Sequence, residues 1–422
     1  MRRTCVPLLC AALITPLAFG QASPPAFPPA LPPALTLEAA LQTALRQNPL
    51  LRAAEAEVDA SHGALDQAGA RPNPTLGIDQ EDTRRDTRTT TVLLSQPLEL
   101  GGKRSARIAL ARSTRELALA DLASRQADVR AGTIQAFFEA LIAQERVKVA
   151  EQSAEIAASG TTAAARRVTA GKVSPTDETR ARVAEANARI GLRQAQADRQ
   201  AAQRALGLAM GAADGTSSPL DGRPESLPQP PDAQALAERV AQSPALRRAQ
   251  GEVQHAQAAY ELERARRIPD LTVSLGSKRA AETGRNQPMI GLSIPLPLFD
   301  SNTGAQLEAL RKRDAAQALA EAEEQRLRAE VLQTLDQLQA RASEAQALKQ
   351  EVLPAAQGVH DATRRGYELG KFSFLDVLDA QRTLLQARTQ YFSALAQVHR
   401  AAAELERRLG TPNDRPHAGH QP

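Results

Sequence analysis

YELGKFSFLDVLDAQRTLLQAR (Tyr367–Arg388) leaves one long stretch of helical period and enters another through Gly370-Lys371-Phe372-Ser373 and, three residues on, Asp376. An earlier stretch, VTAGKVSPTDETRARVAEANAR (Val168–Arg189), does the same through Gly171-Lys172-Val173-Ser174 and Asp177. In each, Ser-x-x-Asp just before helical period resumes is a helix-start pattern, because hydroxyl and carboxylate can accept from N–H groups that the first turn leaves unpaired. The glycine three residues before each serine suits the left-handed residue that ends an incoming helix. Both stretches therefore read as tight reversals between long helices, and their recurrence marks an internal duplication.

Composition points the same way. The 422 residues include no Trp and three Tyr, aromatics are 3%, and much of the 42% apolar fraction is Ala interleaved with Gln, Glu and Arg. That mixture fits long helices packed side by side, not a compact α/β enzyme. The formal charge is +4, and without Arg2 and Arg3 it is +2. So near a balance gives no basic footprint for nucleic acid.

Residues 1–20 read as a signal peptide: Arg2 and Arg3, an apolar run from Val6 to Phe19 broken by Pro7 and Pro16, and a small-x-small site at Ala18-Phe19-Gly20. Cys5 and Cys10 both fall there, so the mature chain is expected to carry no disulfide and no thiolate metal site. Lipid attachment at Cys10 is the alternative, with little apolar sequence before it. Residues 21–35 form a Pro-rich lead-in with three Pro-Pro pairs.

The first repeat is expected over 36–210. LTLEAALQTALRQNP opens it with Leu37, Leu41 and Leu45 on one helical face and a stop at Asn48-Pro49. The period then shifts to two. Strands are expected at about 75–82 and 88–98, with Leu76, Ile78, Val92 and Leu94 on apolar sides and Gly77, Asp79 and Ser95 on small-polar ones. From Gly102 to about Ala170 no proline occurs, enough for roughly 100 Å of helix. Gly211–Asp232, rich in Pro, Gly and Ser, reads as a linker (211–232), and a second repeat follows over 233–410. Its strands are expected at about 270–277 and 287–297, with Leu271, Val273, Leu275, Ile290 and Leu292 opposite Thr272, Ser274, Gly276, Gly291 and Ser293. Its long run contains Pro354, read either as a break between two helices or as a hinge. Residues 411–422 are expected to be a disordered tail.

The small-polar strand faces suit the inside of a water-filled barrel whose apolar sides meet lipid. About eight strands are the practical minimum for closure, and no edge can stay open in a membrane. Four strands per chain therefore force an oligomer, eight-stranded from two chains or twelve-stranded from three. Half-buried hairpins over a soluble core are the plainer alternative.

No catalytic constellation emerges. The Gly-Lys turns lack the upstream glycine and strand of a phosphate loop. Of the six histidines, His62, His255, His360 and His399 stand singly in helical segments as surface or packing residues, and His417 and His420 lie in the tail. No enzyme, no cofactor and no metal ligand set is expected. Asp376 and Asp379 share a helical face; Asp177 and Arg180 hold the sister positions. Capping explains Asp177 and Asp376, but not Asp379. In a trimer the second-repeat pair would form a ring of carboxylates that attracts cations.

LTLEAALQTALRQNP, SQPLELGGKR, SIPLPLFD and above all YELGKFSFLDVLDAQRTLLQAR resemble the TolC-type outer-membrane efflux proteins over almost the whole mature chain. The resemblance implies a mainly α fold with a membrane β-barrel portion. Long helical hairpins would form a periplasmic α-barrel, and four strands from each chain of a homotrimer would share a twelve-stranded barrel in outer-membrane lipid. It implies a passive duct working with a periplasmic adaptor (membrane fusion) protein and an inner-membrane RND-type transporter. Asp376 and Asp379 match acidic residues that constrict the periplasmic entrance. Tyr367 and Asp177 match a pair that holds the closed gate by hydrogen bonding. Gly171, Lys172 and Ser174, with Gly370, Lys371 and Ser373, match the adaptor-docking turns. Two departures stand out: Phe372 replaces a gate-locking arginine, and Phe299 is the only aromatic near a strand end. QPLELGGKR is most similar to the subgroup paired with heavy-metal cation pumps, so divalent metal cations are the expected cargo. The same duct for drugs or other small organic molecules, and a secreted helical scaffold without a pore, are the rivals.

Overall fold

A computed structural model of the chain describes residues 34–212, 218–228 and 233–410. The signal peptide, nearly all of the Pro-rich lead-in, the tail with its histidines, and parts of the expected linker lie outside the described residues.

Two short helices, α1 (Leu37–Gln47) and α2 (Pro49–Gly69), start on Thr36 and Asn48, whose side chains accept from Ala39 and Leu50 N–H. Strands β1 (Thr75–Glu81) and β2 (Thr89–Leu98) follow, then α3 (Lys103–Thr169) and α4 (Pro175–Ala209). The pattern repeats as α5 (Ala233–Ala241), α6 (Pro244–Arg266), β3 (Leu271–Ala280), β4 (Asn286–Ser293) and a second long helical run. That run comprises α7 (Thr303–Ala347), a π-helical turn (Leu348–Val352) and α8 (Leu353–Glu368); α9 (Phe374–Leu409) returns beside it.

Pro354 does not break the helix, which corrects the first of its two readings. Proline removes an N–H and crowds the carbonyl four residues back. The π turn one residue ahead, closed by Leu353 N–H to Leu348 C=O, shifts the hydrogen-bond register before the proline arrives. Helical φ and ψ persist through Leu353.

The four strands form one antiparallel sheet in the order β1-β2-β3-β4, with β1 and β4 unpaired on their outer edges. Its register aligns Leu76, Leu94, Leu275 and Ile290 across all four strands, and Ile78 with Val92. Those side chains are exposed, Ile290 at 80%. The opposite face aligns Thr75, Ser95, Ser274 and Gly291, with Ser95 and Ser274 hydroxyls 2.9 Å apart. Two strand ends differ from the sequence reading. β4 stops at Ser293, not 297, because Pro295 and Pro297 have no N–H for a ladder. β3 runs on to Ala280, paired with Thr89.

Glycine serves the strand-to-helix passage in the first repeat and asparagine in the second. Gly101 and Gly102 have φ 67° and 75°, and a Cβ on Gly101 would sit 2.7 Å from Ile268. Asn302 takes the left-handed position in the second repeat, φ 57°, and its Nδ2 donates to Glu263 C=O at 2.8 Å. Lys103 Nζ and Leu100 N–H both reach Asp270 Oδ1, at 2.7 and 3.1 Å, tying the first repeat's passage to the connection between α6 and β3.

Small residues let the helices approach. Ala40, Ala44, Phe137, Ala140, Leu141 and Leu206 make the first repeat's core; Leu327, Val331, Leu338, Leu395 and Val398 make the second's. The expected linker is not wholly free. Leu35 bridges Leu220, which is buried against Phe137 and Leu141, and the Gln144 side chain bonds both backbone groups of Leu220. Farther along, Pro224 C=O accepts from His399 Nε2 at 2.7 Å.

Candidate functional site: the paired hairpin tips

The two reversals close alike. Gly171 (φ 66°) and Gly370 (φ 75°) follow α3 and α8. Lys172 N–H returns to Arg167 C=O at 2.9 Å, and Lys371 N–H to Gly366 C=O at 2.8 Å. These bonds satisfy carbonyls that the helix ends leave open. Ser174 and Ser373 then serve as N-caps of α4 and α9.

The caps differ, although the sequence reading treats them alike. Ser373 and Asp376 form a full capping box: Asp376 N–H donates to Ser373 Oγ, and Ser373 N–H and hydroxyl donate to Asp376 Oδ2 at 2.8 and 2.7 Å. Those bonds, the hydroxyl's first, hold the Asp376 carboxyl below its ordinary range. In the first repeat Ser174 Oγ accepts from Thr176 N–H, and Asp177 turns to Arg180 at 3.4 Å. Arg180 stands where the second repeat has Asp379, so one residue draws Asp177 out of the cap. Asp379 itself is exposed, and its carboxylate has no hydrogen-bond or ion-pair partner among the described residues.

Tyr367 and Asp177 share no hydrogen bond. The tyrosine hydroxyl is buried without a partner among the described residues. Its ring packs 5.6 Å from the buried Phe374, which also contacts Ala164 and Ala181. The Arg167 guanidinium also lies over the ring, 4.3 Å from its centroid. Phe372 lies against Gly366, where a Cβ would fall 2.0 Å from its ring. Thus Tyr367, Phe372, Phe374 and Arg167 meet at one end of the helices, with Asp376 and Asp379 on the exposed side of α9. Sequence reasoning missed Phe374 and Arg167. Three aromatics within eight residues (Tyr367, Phe372, Phe374), in a chain with 3% aromatics, were the available signal for the first.

From the first turns of α4 and α9 inward, a groove of about 670 Å³ runs between these helices over α3; Arg146, Arg180, Arg382 and Arg388 line it with no carboxylate. It suits no cation. Among the described residues no group of three or more His, Cys, Asp or Glu is placed to hold a metal ion. No described helix is long and apolar enough to cross a membrane.

Comparison with known proteins adds three findings. The family model for "Outer membrane efflux protein" matches twice, over residues 40–212 and 235–411. The chain is 46% identical to the cobalt-zinc-cadmium resistance protein CzcC of Cupriavidus metallidurans, over 97% of this chain and 100% of that protein. It is 32% identical to the nickel and cobalt resistance protein CnrC of the same organism, over 64% of this chain and 65% of the other. Its fold superposes on the open-state MtrE outer membrane channel of Neisseria gonorrhoeae with a TM-score of 0.75, 20% identity, and 89% and 88% of the two chains covered.

Proposed function

Because this chain belongs to the outer membrane efflux protein family, and is therefore an outer-membrane efflux channel reaching into the periplasm, we propose that it is the exit duct for divalent heavy-metal cations in a tripartite system. The cargo rests on the 46% identity with a cobalt-zinc-cadmium resistance protein along both full chains. In this reading three copies share a twelve-stranded barrel. The observation that carries it is the exposed apolar face shared by all four strands, together with the unpaired edges of β1 and β4. An unpaired edge in hydrocarbon leaves every outward-facing N–H and C=O unsatisfied, at several kcal/mol apiece. Neighbouring copies would remove both edges.

The duct performs no covalent chemistry and holds no cofactor; it passes a gradient made elsewhere. An inner-membrane RND-type transporter would supply the work, and a periplasmic adaptor would seat on Gly171–Ser174 and Gly370–Ser373. Asp376 and Asp379 from three copies would ring the periplasmic mouth and concentrate cations there. Tyr367 and Asp177 would belong to the closed gate, with the apolar Phe372 packing against Gly366 instead of carrying charge. Pro354 and its π turn would let the α7–α8 run bend during opening. Replacing Pro354 with Ala should then change open probability in single-channel records, and an unchanged record removes the hinge. The two repeats, taken as 36–210 and 233–410 with a linker over 211–232, would be the units that move.

Deleting the gene in its host tests the cargo. Tolerance to cobalt, zinc and cadmium should fall and return on complementation, with tolerance to dyes and antibiotics unaltered. Unchanged metal tolerance with new sensitivity to organic compounds would transfer the duct to drug efflux.

A further inference from the structure

The distal end of the sheet, away from the helices, sorts its charges by face. Lys278 and Arg279 are consecutive in β3 and so point to opposite sides. Lys278 aligns with Thr91 and Gln287 on the small-polar face and pairs with Glu81, its Nζ 3.3 Å from the carboxylate. Arg279 aligns with Thr90 and Asn286 on the other face, one step beyond the apolar row of Ile78 and Val92. Arg88 continues that face. Its carbonyl accepts from Ala281 N–H at 2.8 Å, which extends the β2–β3 ladder by one residue and sets Arg88 diagonal to Arg279. At the level of Arg279 the other strand residues of this face, Gln80, Thr90 and Asn286, are neutral; the turns beyond carry both signs, Arg84, Arg85 and Arg285 with Asp82, Asp86 and Glu282. Both arginines are exposed, and neither has a carboxylate within ion-pair distance among the described residues.

We infer that Arg88 and Arg279 form a binding surface for the phosphate groups of the lipid headgroups that border the sheet's apolar face. This deepens the membrane reading of that face and rests on it. Arg279 stands one face position beyond the row of Ile78 and Val92 and Arg88 two, with Ser277 and Thr90 as the nearest same-face residues on their own strands. That sets both guanidiniums at headgroup depth, with stems that can lie back along the sheet and heads that reach outward. Guanidinium matches phosphate through paired N–H donors, and Gln80, Thr90 and Asn286 supply further hydrogen-bonding groups beside it. The inner face has its own acids, Asp79 and Glu81, so the cation there is already partnered.

The lysine–arginine neighbours make the test. Full-length protein in detergent, with a chelator present to remove bridging cations, is titrated with lipid A and with fully dephosphorylated lipid A, and bound lipid is counted by native mass spectrometry. The intact phosphates should be preferred. R279Q should lower that preference about fivefold, and R88Q with R279Q by about the square of it, at roughly 1 kcal/mol for each basic residue near an anionic surface. K278Q should leave it unchanged, and inorganic phosphate should not compete. Equal losses from K278Q and R279Q, equal binding of dephosphorylated lipid, or competition by free phosphate would each overturn the assignment. Flotation with phosphatidylcholine vesicles separates the two levels. Protein that floats but shows no phosphate preference defeats only this surface, whereas protein that floats with no vesicle defeats the membrane reading of the sheet.

Discussion

Arg167 lies over the ring of Tyr367, its guanidinium carbon 4.3 Å from the ring centroid, and its Nη2 donates to the carbonyls of Tyr367 and Glu368 at 3.2 and 3.3 Å. One side chain from the end of α3 thus closes the end of α8 in the other repeat. A cation near a helix C-terminus is favoured by the dipole, and a half-buried cation–π contact adds on the order of 1 kcal/mol. Arg167→Gln should therefore raise amide exchange over Tyr367–Lys371 by about tenfold, the ratio for roughly 1.4 kcal/mol of local opening. Arg167→Lys keeps the charge but not the fork, and should fall between. Exchange indistinguishable from wild type would mean that the turn's own backbone bonds hold this end.

Asp376 and Asp379 separate two roles that sequence spacing merges. Asp376 is engaged in the capping box, and the Asp379 carboxylate has no partner among the described residues. Asp379→Asn should lower cation preference and divalent-cation block in planar bilayers while leaving helix content unaltered. Asp376→Asn should do the first and also loosen the start of α9. Because hydrogen bonds from Ser373 depress the folded-state pKa of Asp376, its contribution is fully present above the unfolded carboxylate range and is lost as pH falls through the lower folded value. Acid titration of order at Ser373–Leu378 checks the sign, and the Asn variant should show no such transition.

Gly276 is the tightest point of the sheet. A Cβ there would lie 2.2 Å from Val92 C=O and 2.9 Å from Leu93 Cδ1, whereas one on Gly77 would meet nothing nearer than 3.9 Å. Backbone cannot yield that distance without breaking the β2–β3 register. Gly276→Ala should abolish assembly into a heat-modifiable oligomer on mild electrophoresis, and Gly77→Ala should assemble normally. Equal behaviour of the two variants would show that the strands slide to accept a methyl.

Periodicity made much of the fold legible. The shift from helical to strand period located both hairpins, and the repeated Gly-Lys-x-Ser turns located both tips. What it could not reach was decided between distant segments. Leu220 sits in a stretch whose Pro, Gly and Ser read as linker, yet Gln144, 76 positions away, bonds both its backbone groups. Local composition says nothing about such a partner. Asp177 shows the same limit at short range, since an arginine three residues on competes for it. Pro354 was legible as a disturbance, but the π turn that absorbs it has no residue signature of its own. Arg167 looked like any arginine in a long polar helix until the fold set it against Tyr367.

His399 gives the helical body a pH dependence with a definite sign. It is 3% exposed, stacked 3.5 Å from Phe138, and donates from Nε2 to Pro224 C=O. Burial lowers its pKa, with the Pro224 carbonyl opposing. A histidine whose folded pKa lies below its ordinary value of 6.5 takes up less proton folded than unfolded between the two values. Stability is then full above about pH 6.5, the unfolded histidine value, and declines as pH falls toward the folded pKa. His399→Phe removes the titration and keeps a ring for Phe138, but leaves Pro224 C=O without its donor, which costs about 1–3 kcal/mol at neutral pH. The variant should melt lower than wild type at pH 7.5, and the gap should narrow by pH 5.5 as wild type alone loses stability to protonation. Thermal unfolding by circular dichroism in matched buffers reads both. A gap constant across that interval would mean that His399 takes up its proton equally in the folded and the unfolded chain, and would remove it as the source of acid sensitivity.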